Sequence, residues 1–183
     1  RTNITYSSSP VSILGGNFTI TDLIGNLVNA NYVLIDSNTG IIQFSRLIPV
    51  GKYSFSIVYT YSEVQNSTIF NLTILPNLYY NPNTISTYYN SPLSSAIPYY
   101  NQKYGTFSIQ DAIGNNLYQN YLVQSNFISI DPYTGIINFP RAIPVGNYQF
   151  IISYTLNGVT NSTGYFLTVI PLLTYTINFK SLN

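Results

Sequence analysis

Few side chains in this sequence are able to act as acid, base, nucleophile or metal ligand. There are five carboxylates, six bases and no histidine or cysteine. Four of the acids form two pairs, Asp22 with Asp111 and Asp36 with Asp131, and Glu63 is the fifth. Without imidazole or thiol, the usual general base, the soft nucleophile and the best transition-metal ligands are missing. A glycosidase sets two carboxylates across one cleft, whereas each of these pairs is the same position met twice, beside turn residues. A calcium site takes about six to eight oxygen ligands, several of them carboxylates, and the stretch from Pro76 to Tyr80 holds no acid. Asp36 and Asp131 therefore read as turn caps rather than metal ligands. The expectation is a chain with no catalytic residue, no cofactor and no metal.

What remains is chemistry of contact and modification. Tyr88, Tyr89, Tyr99, Tyr100 and Tyr104 gather between Tyr80 and Gly105. Tyrosine combines a large apolar area with a polar tip, as protein interfaces and sugar platforms both require. These five are the candidate binding residues, and the alternative is a loop packed over its own domain. Five Asn-X-Ser/Thr sequons begin at Asn3, Asn17, Asn66, Asn71 and Asn161, no more than an Asn-, Ser- and Thr-rich composition produces by chance. Asn66 and Asn161 hold the same repeat position at a strand start, which makes them the glycosylation candidates.

The elements that carry these residues come from a tandem duplication. Ile35 to Pro76 aligns with Ile130 to Pro171 without a gap, at a constant offset of 95 residues, with more than half of the positions identical. Upstream, the block from Gly16 to Asn26 matches the block from Gly105 to Asn115 at an offset of 89, and the opening Ile4-Thr5-Tyr6 matches Leu78-Tyr79-Tyr80 at 74. The second copy thus has 15 extra residues between Tyr80 and Gly105 and 6 between Asn115 and Ile130, read as loop insertions on a fixed scaffold. The division predicted is a first repeat over 1–76, a second over 77–171 and a terminal segment over 172–183.

Within each copy the pattern is that of strands and turns. Tyr53, Phe55, Ile57, Tyr59 and Tyr61 alternate with mostly polar residues, as do Tyr148, Phe150, Ile152, Tyr154 and Leu156. Asp36 to Gly40 predicts a turn closed by a glycine, Pro49-Val50-Gly51 a type I turn, and Asn157-Gly158 a two-residue hairpin. Pro76 and Pro171 stop the ladders. Leu173, Tyr175, Ile177 and Phe179 alternate with polar residues and form the candidate assembly strand, either the start of a third repeat or a donated strand. No stretch reads as a long helix, which predicts antiparallel sandwiches.

The net charge is +1, and its charges are scattered singly. No basic patch offers itself to nucleic acid, and no apolar run is long enough for a membrane-spanning helix. Arg1 opens a chain that contains no methionine, which predicts a product processed or cut from something longer. A neutral surface of Asn, Ser, Thr and Tyr suits an extracellular or particle-surface material.

The motifs carried by Gly15, Gly16 and Phe18, by Asp36, Thr39 and Gly40, by Pro49, Gly51, Tyr53 and Tyr59, by Leu72, Thr73 and Pro76, and by their second-copy counterparts resemble a known pattern. It is that of the immunoglobulin-like, cadherin-like repeats found in tandem on microbial surface proteins and on fibre or surface proteins of large DNA viruses. Only the first glycine departs from it in the second copy, where Tyr104 stands. The resemblance implies an all-β chain of two tandem immunoglobulin-like antiparallel β-sandwich domains that serves as spacer, stalk or adhesive module on a cell or virion surface. The expected partners are other copies of the chain in a fibre, or a glycan or cell-surface protein held by residues 80–104.

Overall fold

The computed structural model describes residues 15–25, 28–100, 102–111 and 128–174. Among them there is no helix, and the elements are twelve strands. Five belong to the first copy: β1 (Asn17–Thr21), β2 (Val33–Ile35), β3 (Ile42–Phe44), β4 (Gly51–Tyr61) and β5 (Val64–Ile74). Seven belong to the second: β6 (Thr84–Tyr88), β7 (Leu93–Ser94), β8 (Thr106–Asp111), β9 (Ser129–Ile130), β10 (Ile137–Phe139), β11 (Gly146–Leu156) and β12 (Val159–Ile170). The chain divides into two compact units, Arg1–Leu75 with Asn157–Val159, and Pro76–Leu156 with Thr160–Asn183.

In the first unit a sheet of order β1-β4-β5 faces the pair β2-β3. The period-two pattern of β4 and β5 sends alternate side chains inward. Ile20 and Phe55 from the larger sheet meet Val33, Ile42 and Phe44 from the smaller one, with Ile48 completing the buried cluster. Phe44 stacks on Phe70 at a centroid distance of 5.7 Å and lies 6.5 Å from Phe55, so one ring ties the two layers together. The second unit repeats the arrangement 95 residues on. There Phe139 lies 6.1 Å from both Phe150 and Tyr165. Each such ring, fully buried, contributes roughly 1.5–3 kcal/mol.

The second unit is the fuller sandwich. Its sheets have the orders β6-β12-β11-β8 and β7-β10-β9. This is the two-sheet Greek-key arrangement of immunoglobulin-like domains, in which the strands named C, F and G oppose B, E and D. The first strand, β6, runs parallel to the last, β12, from Phe166 opposite Thr84 to Ile170 opposite Tyr88. A second mark of the fold stands at the entry to β4 and β11. Tyr53 Oη donates to Pro49 O at 2.8 Å, and Tyr148 Oη donates to Pro144 O at 2.7 Å. Such a bond, from a tyrosine near the start of strand F back to the preceding backbone, is the tyrosine corner.

Three expectations need correction. The segment between Tyr80 and Gly105 is not a loop, because it supplies β6, β7 and an isolated antiparallel bridge between Tyr79 and Tyr99. Its Thr84, Ser86 and Ile85 alternate at period two and find an open edge on β12, which is reason enough to form a strand. Second, the hydrogen-bonded turn at the corner lies earlier than Pro49-Val50-Gly51. Ile48 N donates to Ser45 O at 3.3 Å, and Ser45 Oγ accepts from Leu47 N at 3.2 Å. The serine hydroxyl competes for the turn, and the proline stretch becomes a bend held by Tyr53. Third, the two rows of alternating residues are unequally buried. Tyr148, Phe150, Ile152, Tyr154 and Leu156 are all buried, whereas in the first copy only Phe55 is. The second unit has β6 and β7 to close its sheets, and the described residues of the first unit contain no counterpart.

Candidate interaction surface

Of the duplicated acids, Asp36 and Asp131 occupy equivalent turns, whereas Asp111 ends β8 opposite Phe150. Asp36 Oδ1 accepts from Asn38 N at 2.9 Å and Thr39 N at 2.8 Å, while Gly40 N returns to Asp36 O at 2.8 Å. Asp131 Oδ1 accepts from Tyr133 N at 2.9 Å and Thr134 N at 2.7 Å, and Gly135 N returns to Asp131 O at 2.9 Å. The backbone N–H of Thr39 is the main influence holding the Asp36 carboxyl below its usual range, and that of Thr134 does the same for Asp131. Gly40 and Gly135 close these turns at φ 69° and 72°. Among the described residues no group of three or more His, Cys, Asp or Glu could hold a metal ion. Arg46 and Arg141 are exposed.

The five candidate tyrosines separate into two environments. Tyr88 ends β6 and Tyr89 follows it, with Tyr89 N donating to Ile170 O at 2.8 Å; both side chains are exposed. Tyr99 is exposed and stacks on Tyr79. Tyr100 turns inward instead, 5.3 Å from Phe107 and 5.4 Å from Tyr154, so it belongs to the packing of the second unit. Alternation across the bridge at Tyr99 sends consecutive residues to opposite sides. Tyr104 is 98% exposed.

What presents Tyr104 is the turn around Tyr154. Tyr154 Oη donates to Gln102 O and accepts from Gly105 N at 3.0 Å. A Cβ on Gly105 would stand 2.5 Å from the Tyr154 ring. The first copy repeats this close approach, since a Cβ on Gly16 would stand 2.2 Å from the Tyr59 ring. The second glycine of the Gly15-Gly16 pair is therefore required by an aromatic lying flat on the backbone.

Three exposed apolar side chains were missed by reading the sequence for tyrosines alone. Leu23 and Ile24 lie exposed in the turn after β1, and Val64 opens β5. Asp22 Oδ1 accepts from Ile24 N at 3.0 Å and holds that turn. The signal was available: Asp22 and Gly25 bracket two apolar residues in a turn, where burial is not expected.

The two sequon asparagines differ. Asn66 is exposed, with its Oδ1 accepting from Ser67 N at 2.9 Å. Asn161 is half-buried, and its Nδ2, the atom a glycan would modify, donates to Pro76 O at 2.8 Å. An open groove of about 430 Å³ beside Asn66 is lined by the hydroxyls and amide of Thr19, Thr21, Ser56, Gln65 and Ser67 together with the Asp22 carboxylate and the apolar Leu23 and Val58. Of the candidate assembly strand, Leu173 is exposed, and Tyr175, Ile177 and Phe179 lie outside the described residues, as does the sequon at Asn3.

No protein-family model matches this sequence, and a search of curated proteins finds no relative. Solved structures resemble it at low identity. Extracellular domains 3–5 of Drosophila OTK match at 11% identity with a TM-score of 0.48, over 84% of this chain and 51% of that one. Drosophila N-cadherin EC1-3 matches at 10% identity with a TM-score of 0.42, over 87% and 57%. Domains 4 and 5 of the S-layer protein SbsC match at 10% identity with a TM-score of 0.34, over 88% and 73%. The chain spans about half the length of each of the two Drosophila structures.

Proposed function

We propose that this chain is a structural, non-enzymatic repeat protein of an extracellular, cell-surface or virion-surface fibre, built from rigid sandwiches that join neighbouring copies by strand addition. The observation that carries the reading is the difference between two equivalent strands. β12 is flanked on both sides, by β11 and β6, while β5 is bonded among the described residues to β4 alone. An 11-residue strand is long enough to template the backbone of another chain along whatever edge it leaves unpaired. The donor assigned to it is the alternating segment of Leu173, Tyr175, Ile177 and Phe179, and Asn66 is the modification site kept from the two candidates.

The test is removal of residues 173–183 followed by negative-stain imaging at concentrations where the full chain assembles. Loss of filaments with unchanged β-sheet circular dichroism supports the reading; unchanged filaments remove the donated strand from it.

A second reading, an adhesin that holds a glycan or surface protein, is favoured by the exposure of Tyr88, Tyr89, Tyr99 and Tyr104. Deleting the segment would remove β6 and β7 and with them the sandwich, so the informative variant replaces these tyrosines by serine. Binding on a glycan array that disappears in that variant supports the adhesin, and no binding by either protein supports the scaffold.

A further inference from the structure

The chain contains no cysteine, methionine, tryptophan or histidine, but it contains 19 tyrosines. The sulfur groups that normally take up oxidising equivalents are absent, and the phenol is the most readily oxidised side chain left. What an oxidised tyrosine then does depends on its neighbours.

Tyr79 and Tyr99 face each other across an isolated antiparallel bridge. Tyr79 N donates to Tyr99 O at 3.1 Å, and Tyr99 N donates to Tyr79 O at 2.8 Å. This is the hydrogen-bonded type of cross-strand pair, which holds the two Cα atoms about 5.5 Å apart. The rings stack with centroids 4.8 Å apart and planes 26° from parallel. Tyr79 is 47% exposed and Tyr99 56%, so an external oxidant reaches both phenols. Two other tyrosine pairs lack this combination. Tyr80 and Tyr165 meet edge-on at 75°, and both are buried. Tyr100 pairs with Tyr154, which is buried.

We propose that Tyr79 and Tyr99 form an oxidative cross-linking site, closed as an intramolecular dityrosine when a peroxide-driven one-electron oxidant acts on the protein. Each phenol gives up one electron and one proton, leaving a tyrosyl radical. The two radicals join through a new carbon–carbon bond between the ring positions ortho to the oxygens. The hydrogens displaced from those carbons return to the oxygens, restoring both phenols. One hydrogen peroxide takes up the two electrons and two protons and becomes two waters. Holding the rings together makes the coupling unimolecular and favours it over encounters between chains.

The product is a staple for a protein that has no disulfide. It fixes the segment entering the second unit to the far end of the segment carrying β6 and β7, closing a loop through β6, the strand that covers the β12 edge. Cross-links of this kind limit the unfolded chain as a disulfide does. The site stands independently of the assembly reading, because it needs only one copy.

The experiment treats the dilute full chain with a haem peroxidase and hydrogen peroxide, then follows dityrosine fluorescence, intact mass and peptide maps. The expected result is a monomer lighter by two hydrogens whose cross-linked peptide contains both Tyr79 and Tyr99. Tyr79→Phe and Tyr99→Phe, which keep the stacked ring but lose the phenol, each abolish that product, while Tyr133→Phe, altering another exposed tyrosine, leaves it intact. A monomeric cross-link that survives in either of the first two variants, or that maps to other tyrosines, overturns the proposal. So does a product found only between chains.

Discussion

Tyr104 occupies the backbone position that Gly15 holds in the first copy and adopts the same left-handed conformation, φ 79° against 95°. For glycine that conformation is free of strain, whereas an aromatic residue there costs about 1–3 kcal/mol. The side chain recovers none of this by burial, since it projects into solvent. Replacing Tyr104 by glycine is therefore expected to stabilise the second unit by about 1 kcal/mol, read as a higher denaturant midpoint at unchanged slope. A lower midpoint would mean that the ring makes a contact that exposure does not reveal.

The two β-hairpins connect through the same geometry with different residues. Asn157 and Gly158 turn at φ 49° and 69°, and Ser62 and Glu63 turn at 46° and 66°. Both central φ values are positive, as a type I′ turn demands, and Asn-Gly is the pair that adopts it most readily. Replacing Ser62 by Asn and Glu63 by Gly should raise the stability of the first unit by about 1 kcal/mol. Thermal unfolding that shifts down instead would show that Ser62 or Glu63 supplies something beyond the turn.

Gly135 combines two demands, a φ of 72° and a crowded Cβ position 2.6 Å from Pro98 Cγ and 2.9 Å from the Phe107 ring. Gly135→Ala should destabilise by about 3 kcal/mol, part strain and part overpacking. Gly158→Ala, with a φ of 69° and open space around its Cβ, should cost only about 1 kcal/mol. Equal losses would show that crowding at Gly135 is relieved by movement of the proline.

The tyrosine corners offer a paired test. Tyr148→Phe and Tyr53→Phe each remove one hydrogen bond and leave Pro144 O or Pro49 O without its phenol donor, a loss of about 1 kcal/mol. Burial pushes both phenols above their usual value of 10.0. A phenol whose folded-state value is raised contributes stability below pH 10.0 that is lost as pH rises through the folded value. Alkaline titration by tyrosinate absorbance should find both ionising late, and normal titration in the folded protein would contradict it.

The turn aspartates give the opposite dependence. Their folded-state values lie below the ordinary carboxyl value of 3.8, so their contribution is present above that pH and is lost as pH falls through the lowered values. Side-chain carboxyl carbons followed by NMR should show midpoints below 3.8 for both Asp36 and Asp131. A midpoint at or above it for either would deny the turn bonds in solution.

Much of this was legible along the chain. The alternation in β4 and β11, the Asp-to-Gly turns and the Asn-Gly hairpin are local patterns, and local sterics and hydrogen bonding fix their outcome within a few residues. The Ser62-Glu63 turn was not legible, because neither residue favours positive φ and only the pairing of β4 with β5 imposes it.

By itself the sequence determined the strand-forming rows, the glycines that must close turns and the scarcity of ionisable chemistry, since each depends on residue type and near neighbours. Tertiary structure alone decided which tyrosines stand exposed and which pack inward. Tyr99 and Tyr100 are consecutive and chemically identical, yet one meets Tyr79 at the surface and the other packs on Phe107 and Tyr154. Tertiary structure likewise turned an apparent loop into the strand that covers β12. Composition cannot reveal such outcomes, because they depend on which distant backbone edge is within reach when the chain folds.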